Sequence, residues 1–171
     1  MKELLKPVIV LTAICLITSA LLGATYNVTA PLIAASEKKA SDDAMAEVLP
    51  TATSFTEVKV DNIEGLLVAA KDEGGAGWAF KVQDKGFGGA YVIMVGIGSD
   101  GKITGTKLLD NAETPGLGSK TGMPAFTDQF VGKDKELEGV ETITGATISS
   151  KAFLRAVDTA YIAFEAVGEG A

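Results

Sequence analysis

The hydrophobic pattern along the chain changes character three times. From Val8 to Leu22 nearly every position is apolar, and no charge interrupts the 30 positions between Lys6 and Glu37. A helix of about 20 mostly apolar residues crosses a hydrocarbon core of about 30 Å. This stretch therefore predicts one membrane-spanning helix, with Tyr26 where an interfacial aromatic commonly sits. A cleaved signal peptide is a second reading, but the uncharged run continues past the length such a core needs, and a small-x-small cleavage pattern after Leu22 is only loosely met. A buried core helix is a third, although no other segment is apolar enough to surround it. Lys2 and Lys6 lie closer to the apolar run than Lys38 and Lys39, which favours an inside N-terminus and an extracytoplasmic body. Residues 36–48 are polar, rich in Ala and Glu, and stopped by Pro50. They predict helix, either a stalk or the first helix of a folded domain.

In the middle of the chain the pattern becomes that of strands. Residues 66–70 and 78–82 flank the turn Gly74-Gly75-Ala76-Gly77, and residues 91–97 and 103–109 flank Asp100-Gly101. Asp-Gly between two β-prone runs marks a hairpin, because tight hairpin turns need positive φ. At the end of the chain Phe153, Val157, Ala160, Tyr161 and Phe164 fall on one face at helical spacing, while Lys151, Arg155, Asp158 and Glu165 fall off it. Strands followed by a long helix predict an α+β fold: an antiparallel sheet with flanking helices, preceded by a single N-terminal transmembrane helix. The division expected is an anchor over 1–36 and one domain over 37–171.

Composition narrows the chemistry. The chain has no histidine, which excludes Ser-His-Asp and Cys-His catalysis and most zinc and haem sites. Its one cysteine, Cys15, excludes an intrachain disulfide, a CxxC pair and a Cys-ligated iron–sulfur cluster. The net charge of −7 argues against nucleic acid as a partner. Redox or group-transfer chemistry, if present, must come from an imported group.

Two segments stand out as places for such a group. Glu141-Thr142-Ile143-Thr144-Gly145-Ala146-Thr147-Ile148-Ser149-Ser150 crowds five hydroxyls just before the amphipathic helix. Ser and Thr there cap a helix, and the same helix N-terminus is a ready anion site. Asn111-Ala112-Glu113-Thr114-Pro115-Gly116-Leu117-Gly118-Ser119-Lys120 follows the hairpin, and Gly86-Phe87-Gly88-Gly89 precedes the strand at Tyr91. These are turns by composition. Glycine loops carrying an embedded Phe or Leu also suit a flat aromatic ligand.

Together, Lys85-Gly86-Phe87-Gly88-Gly89, Glu113-Thr114-Pro115-Gly116-Leu117-Gly118 and Thr144-Gly145-Ala146-Thr147-Ile148-Ser149-Ser150, in that order, resemble the FMN-binding domain. That domain is shared by the G subunit of the Rnf electron-transport complex and the C subunit of the sodium-pumping NADH:quinone reductase, and the shorter body resembles the Rnf protein more. The resemblance covers most of residues 80–160. It implies an electron carrier in a membrane-bound ion-translocating ferredoxin:NAD oxidoreductase, with FMN joined by a phosphoester to Thr147 within Thr144-Gly145-Ala146-Thr147. The partners implied are the other membrane subunits and a flavin transferase that makes the bond. The ring is expected along Glu113, Thr114, Gly116, Leu117 and Gly118. Ser149 and Ser150 are expected either on the phosphate or as helix caps, and Lys120 or Lys151 either balances the phosphate charge or is a solvated surface lysine. Phe87 and Trp78 are expected in the core, with stacking on the ring as the alternative. A flavoprotein of the same domain type in another electron-transfer system, and a non-redox tethered binding module, are the competing functions.

Overall fold

The computed structural model describes residues 2–168. Two compact units divide the chain, one ending at Lys39 and one beginning at Ala40. Helix α1 (Lys2–Val48) supplies the first unit and the opening turns of the second. Large apolar residues from Leu5 to Ile33 are exposed along it, and its most apolar 18-residue window is 0% buried. By length and composition this helix can cross a membrane. The exposure of that window is what a buried core helix would lack.

The second unit is built on five strands: β1 (Phe55–Val58), β2 (Leu66–Asp72), β3 (Gly77–Lys85), β4 (Ala90–Gly98) and β5 (Ile103–Asn111). They pair in chain order as an antiparallel meander, β1-β2-β3-β4-β5. The registers Phe80↔Val95 and Val95↔Thr106 align β3, β4 and the edge strand β5. Both sequence-predicted hairpins are present, with Gly101 at φ 78° in the second. The short edge strand β1, which pairs Phe55 with Asp72, has too little alternating pattern to read from sequence.

Period-two alternation sends the two faces of this sheet to different partners. On one face Phe80, Val82, Tyr91, Ile93, Val95 and Ile97 pack against α3 (Thr147–Gly168) through Ala152, Phe153, Ala156, Val157, Ala160 and Tyr161. This is the helix face predicted from spacing; Phe164 lies at its partly buried margin. Phe126 and Phe130, from α2 (Pro124–Thr127) and the short 3-10 turn after it, close the core with Phe153, at ring centroid distances of 5.3 and 4.9 Å. On the other face Ala44, Met45 and Val48, the last turns of α1, cover Ala70, Ala79 and Met94. Residues 40–48 therefore form a packed helix of the domain rather than a free stalk. Their close approach depends on the paired glycines Gly96 and Gly105, where a Cβ at either position would press on the Val48 backbone. Thr104 Oγ1 donates to the Val48 carbonyl at 2.5 Å and satisfies one of the acceptors left at the helix end. Because both faces are covered, β4 is buried along almost its whole length.

Candidate functional site

Three chain segments meet at one end of the sheet. They are the Gly86–Gly89 loop before β4, the Glu113–Lys120 segment after β5, and the first turn of α3. Between them lies a cavity of about 360 Å³ lined by Phe87, Glu113, Thr114, Leu117, Gly118, Gly145, Ala146, Thr147, Ile148 and Ser149. That volume is in the range of small-molecule sites. The three segments are joined only by folding: β4 and β5 place the first two side by side, and packing of Phe153 fixes the third.

Each segment has a local reason for its shape. Thr114-Pro115-Gly116-Leu117 is a turn closed by Leu117 N–H donating to the Thr114 carbonyl at 3.1 Å. Proline presets its first central residue, and Gly116, at φ 80°, supplies the positive φ the second requires. Ile143-Thr144-Gly145-Ala146 repeats the device, with Ala146 N–H on the Ile143 carbonyl at 2.9 Å and Gly145 at φ 83°. The chain then enters α3 at Thr147. Among the described residues the amides of Thr147, Ile148 and Ser149 have no acceptor, as expected of a helix start. Thr147 is exposed, and its hydroxyl makes no hydrogen bond among the described residues.

The walls are apolar. Phe87 is 71% exposed, Ile148 54% and Leu117 48%. Exposed large apolar side chains that converge on one cavity mark a binding surface more than scattered ones do. Phe87 thus lies outside the core in which sequence alone placed it, because Gly86 and Gly88 carry it out on a loop. Trp78 is partly buried and packs against the core, stacked on Phe80 at 6.1 Å. Ile148 is a lining residue that the sequence reading did not select. Its signal was an apolar residue in the solvent-facing first turn of a helix, off the packed face.

Glu113 is buried. Its Oε1 accepts from the amides of Phe87 at 2.7 Å and Gly88 at 3.3 Å, and its Oε2 accepts from Ser149 Oγ at 2.7 Å. Tyr91 and Thr121 hold the same segment from below: their hydroxyls are hydrogen-bonded, and Thr121 Oγ1 donates to the Gly118 carbonyl at 2.6 Å. Burial pushes the Tyr91 phenol up to about 12; the Thr121 hydroxyl opposes this and the Glu113 charge adds to it.

Of the remaining expected site residues only Ser149 lines the cavity. Ser150 is fully buried; its Oγ accepts from Ile143 N–H at 3.0 Å and donates to the Ala146 carbonyl at 3.0 Å, so it braces the turn and does not line the cavity. Ser149 lines the cavity, but its proton is engaged by Glu113. Gly116, Thr144 and Lys120 are exposed and outside the lining, as is Lys151.

An apolar slot, free amides at a helix N-terminus and an unengaged hydroxyl beside them are a donor set that fits a flat ring carrying a phosphate. Comparison with known proteins agrees. Residues 86–162 match the FMN-binding domain family. The chain is 31% identical over 160 residues to the G subunit of the proton-translocating ferredoxin:NAD(+) oxidoreductase complex of Clostridium ljungdahlii, covering 88% of this chain and 85% of that one. It is 31% identical over 175 residues to the G subunit of the ion-translocating oxidoreductase complex of Methanosarcina acetivorans, covering 93% of each. Its fold is similar to the crystal structure of the C subunit of the Na(+)-translocating NADH-quinone reductase from Parabacteroides distasonis, with a TM-score of 0.55 at 18% identity over 75% of this chain and 94% of that one. A likeness that spans nearly the full length of both partners, with the matched domain enclosing the cavity, establishes that the chain belongs to the family of G subunits of ion-translocating oxidoreductase complexes.

Proposed function

We propose that this chain is the electron-carrying flavoprotein of a membrane-bound, ion-translocating ferredoxin:NAD(+) oxidoreductase complex, with FMN held by a phosphoester to Thr147. The observation that carries this reading is the cavity itself, which gathers the glycine-rich segments and the Thr147 hydroxyl around one apolar slot. When bound, FMN supplies the electron-transfer chemistry that a His-free chain with one membrane-segment cysteine lacks.

The residues divide the work of holding it. Thr147 provides the oxygen of the ester. The free amides of the first turn of α3 and the positive end of its dipole would hold the phosphate. Thr144, Gly145 and Ala146 form a turn without bulky side chains, which leaves a transferase room to reach Thr147. Phe87, Leu117 and Ile148 offer apolar surface to the ring and exclude water from it, while Thr114 and the Gly118 backbone offer polar contacts at the cavity edge. Gly116 contributes through the turn it permits.

The anchor is assigned to residues 1–36 and the flavin domain to 37–171, supported by the exposed apolar helix and the packed second unit. The flank charges support a cytoplasmic-membrane protein with the flavin domain on the extracytoplasmic side. The partners are the other membrane subunits of the complex, in line with the relatives' names, and a flavin transferase.

Intact-protein mass spectrometry of chain made together with such a transferase tests the linkage. The expected mass is that of the sequence plus one FMN less one water, and Thr147→Ala returns it to that of the sequence alone. A wild-type chain that gains no mass, or a Thr147→Ala chain that gains the same mass, refutes the assignment.

A further inference from the structure

Glu113 is out of place in a site for an anionic cofactor. Its carboxylate is buried at the cavity wall beside a helix N-terminus where the proposed phosphate would sit. What faces it explains its presence. Phe87 N–H and Gly88 N–H approach Oε1, Ser149 O–H approaches Oε2, and all three are donors. A carboxylate is the side chain that accepts on both ends and donates on neither. Its own backbone is held in turn, since Glu113 N–H donates to Asn111 Oδ1 at 3.0 Å.

The glycines around it give a second, independent sign. A Cβ on Gly86 would strike Glu113 Oε1, and a Cβ on Gly118 would strike Glu113 Oε2 and Ser149 Oγ. Both glycines read from sequence either as ordinary turns or as loops kept open for a ligand. In the folded chain they keep space for this carboxylate.

We propose that Glu113 is a positioning residue that fastens the Phe87 loop to the first turn of α3, and so fixes the two walls of the cavity beside Thr147. Among the described residues the carboxylate is the side-chain link between the Phe87 loop and the first turn of α3, one hydrogen-bonded arm reaching 26 residues back in sequence and the other 36 residues forward; Arg155, further along α3, separately holds Asp84 and the Lys85 carbonyl before that loop. For the bound ring this rests on the flavin reading above; for the fastening of the walls it does not.

The test uses the full chain in detergent, with and without flavin. In the flavin-free protein, hydrogen exchange is followed at Phe87 and Gly88, at Ser150, whose amide donates to the Ala146 carbonyl at 2.9 Å and reports on the first turn of α3, and at β3 as an internal reference. Glu113→Ala is expected to speed exchange at Phe87 and Gly88 by about tenfold or more, the loss of one charge-assisted hydrogen bond. The first turn of α3 speeds up with it and β3 does not. Glu113→Gln, which can still accept from the two amides, recovers most of the protection at Phe87. Ser149→Ala, which cuts one arm and leaves the other, speeds only the α3 turn. In protein loaded by the transferase, Glu113→Ala keeps the added mass but loses the visible circular dichroism of an ordered ring, and Glu113→Gln restores it. Unchanged exchange at Phe87 and Gly88 in Glu113→Ala overturns the proposal. So does a uniform rise through β3 with Ser149→Ala silent, and so does faster loop exchange with an unaltered flavin signal. A wild-type chain that never gains FMN refutes the function above, while the exchange data still decide whether Glu113 joins the two walls.

Discussion

Gly118→Ala separates two explanations of a glycine in this site. If Gly118 is small so that a ligand can approach its backbone, an added methyl leaves the flavin-free protein unharmed. The structure places that methyl against Glu113 Oε2 and Ser149 Oγ, with Glu113 Cβ at 2.9 Å. These atoms belong to a buried bonded pair, so the methyl must displace the carboxylate or the segment that carries it. Overpacking of this kind costs about 1–3 kcal/mol, and weakening a hydrogen bond to a charged group brings the total to about 2–4 kcal/mol. At about 4 °C per kcal/mol for a domain of this size, the flavin-free protein should melt about 8–16 °C lower. Gly116→Ala is the control within the same loop. Its φ is 80° and nothing lies within 4 Å of an added Cβ, so it costs only the left-handed conformation, about 1–2 kcal/mol. The assay is thermal unfolding of the full chain in detergent for both variants, each repeated in a Ser149→Ala background. Removing Oγ relieves the Ser149 part of the Gly118→Ala collision, and frees Glu113 Oε2 to shift, but does not touch the Gly116→Ala strain, so a coupling of about 1 kcal/mol is expected in the first pair and none in the second. A Gly118→Ala protein that melts with the wild type, or equal coupling in both pairs, refutes the reasoning.

Asp72 holds the β2–β3 turn, accepting from Ala76 N–H at 2.9 Å, Thr53 N–H at 2.9 Å and Ser54 N–H at 3.2 Å. The Ala76 amide, followed by those of Thr53, Ser54 and Gly74 and partly offset by burial, lowers its carboxyl from 3.8 to about 2. A depressed carboxyl stabilises above its unfolded value, so this contribution is full above 3.8 and is lost as pH falls towards 2; Asp72→Asn should lower stability at pH 7 and flatten the acid limb of a melting curve. Tyr91 acts in the opposite direction: with its phenol raised from 10.0 to about 12, stability is intact below 10 and falls as pH rises through that interval, and alkaline melts of Tyr91→Phe should lose part of that dependence. Phe153→Ala removes the ring at the centre of the Phe126, Phe130 and Tyr91 contacts and should cost about 3–5 kcal/mol, read as a fall in the unfolding midpoint.

Much of the architecture was local enough to read from the chain. The long apolar helix follows from an uncharged run, the hairpins from Asp-Gly and Gly-rich turns, and α3 from the spacing of Phe153, Val157, Ala160 and Tyr161, because each signal is local to its own element. The hydroxyl cluster at the start of α3 was legible for a similar reason, since a helix start is a feature of a few consecutive residues, but only the family resemblance picks Thr147 out of it. The side-chain roles around it were not. Phe87 reads as core by type, and only the glycines on either side, placed at the end of β3 and β4, put it in solvent. Ser150 reads as a phosphate ligand or cap and is instead a brace within its own turn. Residues 40–48 left stalk and domain helix equally open, and their burial is decided by the gap that Gly96 and Gly105, on different strands, leave between them.

The sequence by itself determined the elements and the poverty of intrinsic redox chemistry, because composition and short-range periodicity carry that information; Thr147 is singled out among its neighbouring hydroxyls only by the resemblance to the FMN-binding domain. Tertiary structure alone decided that Glu113, Phe87 and Ser149 share hydrogen bonds, and that Gly86 and Gly118 are glycine for the sake of a carboxylate. Those facts depend on which atoms the antiparallel pairing of β4 with β5 and the packing of α3 bring within 3 Å, and no spacing along the chain encodes such distances.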